Sequence, residues 1–251
     1  MSFGQSPSPR ILYGDCDYAV VIKNIGEICQ DTPIEQGNCG LVNIVKPLLE
    51  KKLNRPVSFC QCVNRLDRPV SGLCVLALNK KAFSKFSDLF ASGKVNKTYL
   101  AITEKPDNKQ DLLPNLGIVT RLTGSIVFDR KKQKAFMVSK NSGKSKSATL
   151  DYVQLGQGER YLFLKVNLLT GRTHQIRCQL SNQGLKIKGD VKYGAKRSEA
   201  NGGIRLHAWG LSFIHPDTDC LVEYWAEPPV LDNLWQICMG LATGQSYEQK
   251  K

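Results

Sequence analysis

Six short runs of strand character, each closed off by turn residues, limit what this 251-residue chain can fold into. YAVVIKN (18–24) reads as a strand, and LCVLAL (73–78), short, apolar and bounded by Gly, as a buried one. VNKTYLAIT (95–103) alternates and puts Val95, Lys97, Tyr99 and Ala101 on one face. In YLFLKVNL (161–168), Leu162, Leu164, Val166 and Leu168 share a core face. Further strands run through IRLHAWGLSFIHP and LVEYWAEPP. Helical spacing punctuates the series. Leu41, Ile44, Val45, Leu48 and Leu49 predict a helix near 39–52. Phe83, Phe86 and Phe90 mark a helix face that stops at Gly93. The turn TGR leads into a short helix, HQIRCQLSNQ, and Leu231, Leu234, Trp235 and Cys238 define a last one. Strands mixed with a few helices make an α+β protein. The length fits one large α+β domain or two small ones. There is no internal repeat, and MSFGQSPSP (1–9) reads as a loose tail. Residues 105–147 are polar and lysine-rich and are expected to form a mobile hairpin or loop.

Charge points to a partner. Lysine and arginine number 35 against 22 acids, a net +13, which favours a polyanion. Residues 1–90 carry 11 basic and 8 acidic groups, residues 91–150 carry 12 and 4, and residues 151–251 carry 12 and 10. Most of the excess therefore sits in the middle segment, in stretches such as DRKKQK (129–134) and KNSGKSKS (140–147) that read as too polar for a core. The nine cysteines are odd in number, follow no secretory leader and lie mostly in apolar runs, as at Cys74 and Cys238, so no disulfide framework is expected. No Cys-x-x-Cys pair occurs, since Cys60 and Cys62 are separated only by Gln61, and no metal site is expected. No stretch of 18 apolar residues exists to span a membrane, and a reducing cytoplasm is the expected compartment.

Two segments can carry chemistry. In CVNRLDRPVSGLCVLALNK the lone acid Asp67 lies between Arg65 and Arg68, just before a buried strand. It reads either as a surface ion pair contributing about 0–1 kcal/mol, or as a carboxylate held ionised by cations, as a nucleophile must be. The second segment is the strand–turn–helix at 161–183. Thr173 is placed as the helix N-cap, Arg172 lies in the turn, and His174 and Arg177 share a helix face near its start. Ile176 and Leu180 anchor the helix to the core. Helix N-termini favour anions, while a capped helix with solvated cations is the plainer alternative.

NRLDRPVSGLCVLALNKKA, VNKTYLAI, LLTGRTHQIRCQL, GDVKYG and IRLHAWGLSFIHP occur in this order, and together they resemble the RluA family of RNA pseudouridine synthases. The similarity runs from about ILYGDCDYAVVIKN to EPP. The family usually has His where this chain has Asn64, and the chain is expected to do without the small RNA-binding module that some relatives carry before the catalytic domain. The resemblance implies an isomerase that detaches uracil from its ribose, turns it and rejoins it through C5, without cofactor or metal. Asp67 matches the catalytic aspartate, which attacks the sugar or the base or assists a glycal route. Tyr99 matches the tyrosine that stacks on the base and removes the C5 proton. Arg177 matches the basic residue paired with the catalytic carboxylate, and Arg65 the arginine that enters the RNA helix as the target nucleotide leaves. Arg68 is then structural or touches phosphate. His207 and the cysteines are expected to be structural, and Asn64 to alter how the loop is held or which RNA fits.

The expected fold is accordingly a single catalytic domain over 10–251, a mixed, largely antiparallel sheet with flanking helices and a central active-site cleft. The expected partner is structured RNA, a tRNA or rRNA stem-loop, with Arg65, Arg172, His174, Lys131, Lys132 and Lys134 contacting it, and the protein a monomer. The absent module leans towards a tRNA or a simple stem-loop. Two rivals stand: an idle RNA-binding or RNA-folding protein on the same scaffold, against which Asp67, Tyr99 and Arg177 count, and a phosphate-ester hydrolase using Asp67 or His174, against which the missing metal-ligand clusters count.

Overall fold

The computed structural model describes residues 10–29, 40–106, 114–139 and 145–244. The expected N-terminal tail and residues 140–144 of KNSGKSKS lie outside them. The chain forms two compact units, one of Met1–Val95 with Trp209–Leu231, the other of Asn96–Ala208 with Asp232–Lys251.

The first unit is built on β1 (Ile11–Gly14), β2 (Tyr18–Lys23), the two-residue β3 (Gln61–Cys62) and β4 (Ser71–Ala77). Most of β10 (Leu206–Ile214) and all of β11 (Leu221–Trp225) complete it. β1 pairs β2, β2 and β3 pair β4, and β10 pairs β11, all antiparallel. Every residue of β2 and β4 is buried, as expected of apolar runs covered on both faces. Helix α1 (Leu41–Leu53) packs on β1, and α2 (Lys80–Ala91) on β4. Asn79 caps α2 by accepting the Ala82 N–H at 2.8 Å. Phe86 then joins Tyr18, Val20, Val75, Leu211 and Phe213 in one core. Gly210 is required on β10, since a Cβ there would fall within 2.3 Å of the Trp225 ring.

The second unit has β5 (Asn96–Glu104), β6 (Val119–Asp129), β7 (Lys134–Val138), β8 (Lys146–Gln157) and β9 (Tyr161–Leu168) in the order β5-β9-β8-β6-β7, with antiparallel pairing throughout. Helix α3 (Gln175–Asn182) packs against β7, and α4 (Asn233–Thr243) against β5, β8 and β9. Leu162, Leu164, Val166 and Leu168 are all buried, as their alternation predicts.

The fold is thus α+β, a mixed, largely antiparallel sheet with flanking helices. Part of the segment 105–147, expected to be a mobile hairpin or loop, is a paired hairpin with a core face: β6 pairs β7, and Ile126 and Ala135, with Ala148 of β8, form a buried cluster with Cys178 and Tyr193. The polar majority conceals a period of two, so small and apolar side chains on one face of β6, β7 and β8 are buried while Lys131 and Lys132 at the turn are exposed.

Candidate active site

In the first unit, Asp67 lies on the eight-residue connection 63–70 between the paired strands β3 and β4. The main chain of this connection is bonded from beneath. The buried Lys23 Nζ donates to Val70 O at 2.6 Å, Asn24 O at 3.0 Å and Arg68 O at 3.2 Å. Gly26 N–H also donates to Arg68 O at 2.8 Å, and Leu66 N–H donates to Cys29 Sγ at 3.3 Å. The turn closes through Val70 N–H to Asp67 O at 3.0 Å. Asn64 pins the entry, donating from Nδ2 to Leu73 O at 3.2 Å and accepting the Val75 N–H at 2.7 Å. An amide offers one donor and one acceptor side by side, which matches the two main-chain groups of β4. This is what Asn64 does where the family usually has His: it holds the loop. Arg65 and Arg68 are exposed and Asp67 is half-buried.

Burial pulls the Lys23 ammonium below its ordinary pKa, with partial relief from the Cys74 and Cys29 thiols, Glu27 and Asp67. The Cys29 thiol is the readier of its cluster to lose a proton, because the Cys62 and Cys74 thiols and the Leu66 main chain hydrogen-bond to it. Cys74, 3.8 Å from Cys29, is held protonated by that bond and by burial.

In the second unit the Tyr99 side chain is buried on β5, opposite Val166 of β9. Lys97 shares its face and is also buried. Arg177, on the first turn of α3, is held by a fork: Nε and Nη2 donate to the two Asp190 carboxylate oxygens at 2.7 and 2.8 Å, with both side chains buried. The guanidinium carbon lies 4.9 Å from the centre of the Tyr193 ring, and Lys134 Nζ lies 5.0 Å from the same ring. The Tyr193 hydroxyl accepts the Ala135 N–H at 2.7 Å and shares a hydrogen with His174 Nδ1 at 3.0 Å. GDVKYG (189–194) is therefore a bracket joining α3 to the β6–β7 hairpin. Gly189 allows it: its φ of 92° belongs to glycine, and a Cβ would meet Gly203 O at 2.9 Å.

The start of α3 differs from expectation. Thr173 is not the N-cap. His174 holds that position, in the left-handed region at φ 56°, and makes no side-chain cap. Gln175 turns back instead, its Oε1 accepting from Thr170 Oγ1 at 2.8 Å and Arg172 N–H at 3.0 Å. Ile176 and Leu180 are buried as expected, but so are Gln175 and Gln179. Gln175 Nε2 donates to Thr149 O and to Gln179 Oε1, and Gln179 Nε2 donates to Leu122 O and Ala148 O. Arg172 is exposed, with Nε donating to Ser147 O at 2.9 Å.

Residues 17–182, well over half the chain, match the RNA pseudouridylate synthase family. The chain belongs to this family. It is 30% identical over 235 residues to an uncharacterized RNA pseudouridine synthase of Haemophilus influenzae, covering 90% of this chain and 94% of that one. It is 30% identical over 175 residues to the ribosomal large subunit pseudouridine synthase D of Zymomonas mobilis, covering 66% and 52%. Human RNA pseudouridylate synthase domain containing 4 matches the fold with a TM-score of 0.67 at 21% identity, covering 93% of this chain and 92% of its own. Human RNA pseudouridylate synthase domain containing 1 does so with 0.64 at 21%, covering 99% and 100%. The isomerase chemistry of pseudouridine synthases is therefore this chain's class, and the idle-scaffold reading is not favoured.

Seen as a pseudouridine synthase, the chain divides its expected site residues between the units: Asp67 and Arg65 in the first, Tyr99, Arg172, His174, Arg177 and the hairpin lysines in the second. Lys131 and Lys132 are exposed at the β6–β7 turn, where their N–H groups are accepted by Asp129 Oδ1, while Lys134 is half-buried against Tyr193 and Phe136. His207 is fully buried, edge-on to Trp235 at 6.1 Å. Sequence reasoning missed Lys23, Asp190, Tyr193 and Lys97. Lys23 and Lys97 had a visible signal, a lysine at an inward position of a strand pattern. Asp190 and Tyr193 had none beyond their motif, because their partners are remote in sequence.

Among the described residues no helix is long and apolar enough to cross a membrane, and no cluster of His, Cys, Asp and Glu suits a metal ion.

Proposed function

We propose that this chain isomerises uridines in structured RNA, a tRNA or rRNA stem-loop, with Asp67 as the catalytic carboxylate. The observation that carries this is Asp67 on a connection whose main chain is bonded by Lys23, Gly26 and Cys29 and whose Asn64 is bonded to β4, in a chain of this family. A nucleophile must be held still while its substrate is turned. A base within a stack is out of reach, so the target must be extruded at a cost of a few kcal/mol. Arg65, exposed two residues before Asp67, fills the vacated space with a planar cation. Tyr99 receives the base, a stack contributing about 1–3 kcal/mol, and its hydroxyl takes the C5 proton. Arg177, oriented by Asp190, is the basic residue that serves the catalytic step. The hairpin lysines, Arg172 and His174 hold RNA. Residues 10–251 make one catalytic domain, acting as a monomer in a reducing cytoplasm, where the eight cysteines among the described residues stay reduced. The ribosomal role named for the Zymomonas relative supports rRNA as one of the two substrate classes.

The test is tritium release from C5-labelled uridine RNA. Asp67→Asn should fold normally and release nothing above background; activity within about tenfold of wild type removes Asp67 from its role. Tyr99→Phe keeps the stack, so RNA affinity should stay within a few-fold while turnover collapses. Persistent turnover would leave the tyrosine a stacking platform only.

A further inference from the structure

Lys97 is the one basic side chain in the second unit's candidate site whose presence the mechanism above does not use. It lies inward on β5, two residues before Tyr99 and on the same face, and only 8% of it is exposed. Thr98 pairs with Asn167, so Lys97 sits one step further along, beside Leu168 at the end of β9. The turn that leaves β9 there carries Arg172 four residues on. Arg172 is exposed, yet tethered by its Nε to Ser147 O at 2.9 Å, so its position is fixed while its Nη groups are not part of that bond. Among the described residues no carboxylate pairs with Lys97. Burial holds its ammonium below the ordinary lysine value, and the Arg172 cation pushes it the same way.

A lysine buried to this extent without an acid is an expensive arrangement in the free protein. A merely structural lysine would reach solvent along its stem or take a carboxylate partner. Lys97 beside the end of β9 and Arg172 in the turn that leaves it, neither with a carboxylate partner among the described residues, offer an anion two cations at the same end of the strand pair. The neighbouring Tyr99 face, on the reading above, holds a uracil, and the nearest anion to a nucleobase in RNA is the phosphate of its own backbone.

We propose that Lys97 and Arg172 form a phosphate subsite that grips the RNA backbone beside the base on Tyr99. The inference rests on the reading of this chain as an RNA-acting synthase, and it adds the residue pair that holds the target nucleotide by its backbone. Lys97 supplies a point charge released from its desolvation penalty on binding, and Arg172 supplies the planar donor edge. The strain of the free site is relieved only when phosphate is present.

The test separates the subsite from a structural role, because the two give opposite signs. Lys97→Met keeps the stem and removes the charge. Its thermal midpoint should rise above wild type, while its affinity for a uridine-containing stem-loop falls about tenfold. The slope of log affinity against log salt should flatten by about 0.7 for a single-stranded contact or 0.9 for a duplex one. Arg172→Gln, an exposed change that leaves the fold intact, should flatten the slope by a similar amount. Inorganic phosphate should raise the midpoint of wild type and not that of Lys97→Met, and RNA should outcompete it; phosphate protection without any loss of RNA affinity would mean an adventitious ion only and overturn the subsite. A lower midpoint for Lys97→Met with RNA affinity within twofold would make the lysine structural. Lost affinity with an unchanged salt slope in both variants would mean that no phosphate is held. If Asp67→Asn retains tritium release, it is the reading of the chemistry that fails, while the phosphate measurements still decide the subsite.

Discussion

The connection carrying Asp67 and the bracket carrying Arg177 are held by different means. Around Asp67 the bonds run to main-chain atoms: a buried ammonium, a thiol and an amide reach the carbonyls and N–H groups of residues 64–75. Around Arg177 they run between side chains: a forked ion pair with Asp190, two cations over the Tyr193 ring, and a hydroxyl bridging His174 to the hairpin. The main chain of residues 66–70 is thus held by groups from outside the connection, and these bonds do not draw on the side chains of Arg65, Asp67 and Arg68. A guanidinium fixed through its side chain has surrendered part of its donor set to structure, and its placement depends on every partner in the network.

The comparison can be broken most severely at Asp190. Asp190→Asn leaves a buried guanidinium without its countercharge, and we expect a loss of about 3–5 kcal/mol, read by chemical denaturation. A loss below about 1 kcal/mol would mean that the side-chain network does not hold its half of the site.

Lys23→Met is the matching change in the first unit. It removes donors from three carbonyls, but Arg68 O keeps the Gly26 N–H and the cost of burying a charge disappears, so the net loss should be smaller, about 1–2 kcal/mol. Its pH dependence has a definite sign. The folded-state pKa of Lys23 is depressed, so between that value and the ordinary lysine value near 10.5 the unfolded chain binds more protons than the folded one. Wild-type stability should gain a contribution as pH rises through that window, and Lys23→Met should lose that gain. An unchanged alkaline profile would show that the ammonium is not the desolvated group.

The smallest effect on stability should come from the hairpin turn. Lys131→Ala with Lys132→Ala, both exposed, should change stability by less than about 0.5 kcal/mol. The same pair should weaken binding to every RNA alike and flatten its salt dependence by about 1.4 to 1.8. Lys134, seated against Tyr193, should add packing to its share of that slope, which Lys134→Ala alone would check. Parallel salt titrations with equal intercepts for the turn variant and wild type would mean that these lysines never meet RNA.

Much of the fold was legible because period carries it. The alternation in YLFLKVNL and the unbroken apolar run in LCVLAL name their own faces, and each became the strand expected. The middle segment was read as a hairpin or loop because its lysine-rich stretches draw the eye from the apolar residues between them. Yet KSATLDYVQLGQ keeps a strict two-residue rhythm, with Ala148, Leu150 and Tyr152 buried. Thr173 was misplaced as a cap because the left-handed turn at His174 leaves no mark in a one-dimensional pattern.

The sequence by itself determined the strands β2, β4, β5, β9, β10 and β11, the four helices, the family, and the order of motifs that names Asp67, Tyr99 and Arg177 as candidates. Hydrophobic period and turn chemistry act over a few residues, so they can be read along the chain. Only the tertiary structure decided what holds each candidate in place. Lys23 meets Arg68 and Val70 across more than forty residues, and Ala135 meets Tyr193 across 58. Hydrogen bonds and ion pairs require partners within about 3 Å, and which remote residues come that close is settled by how the sheet folds, not by what lies beside them in sequence.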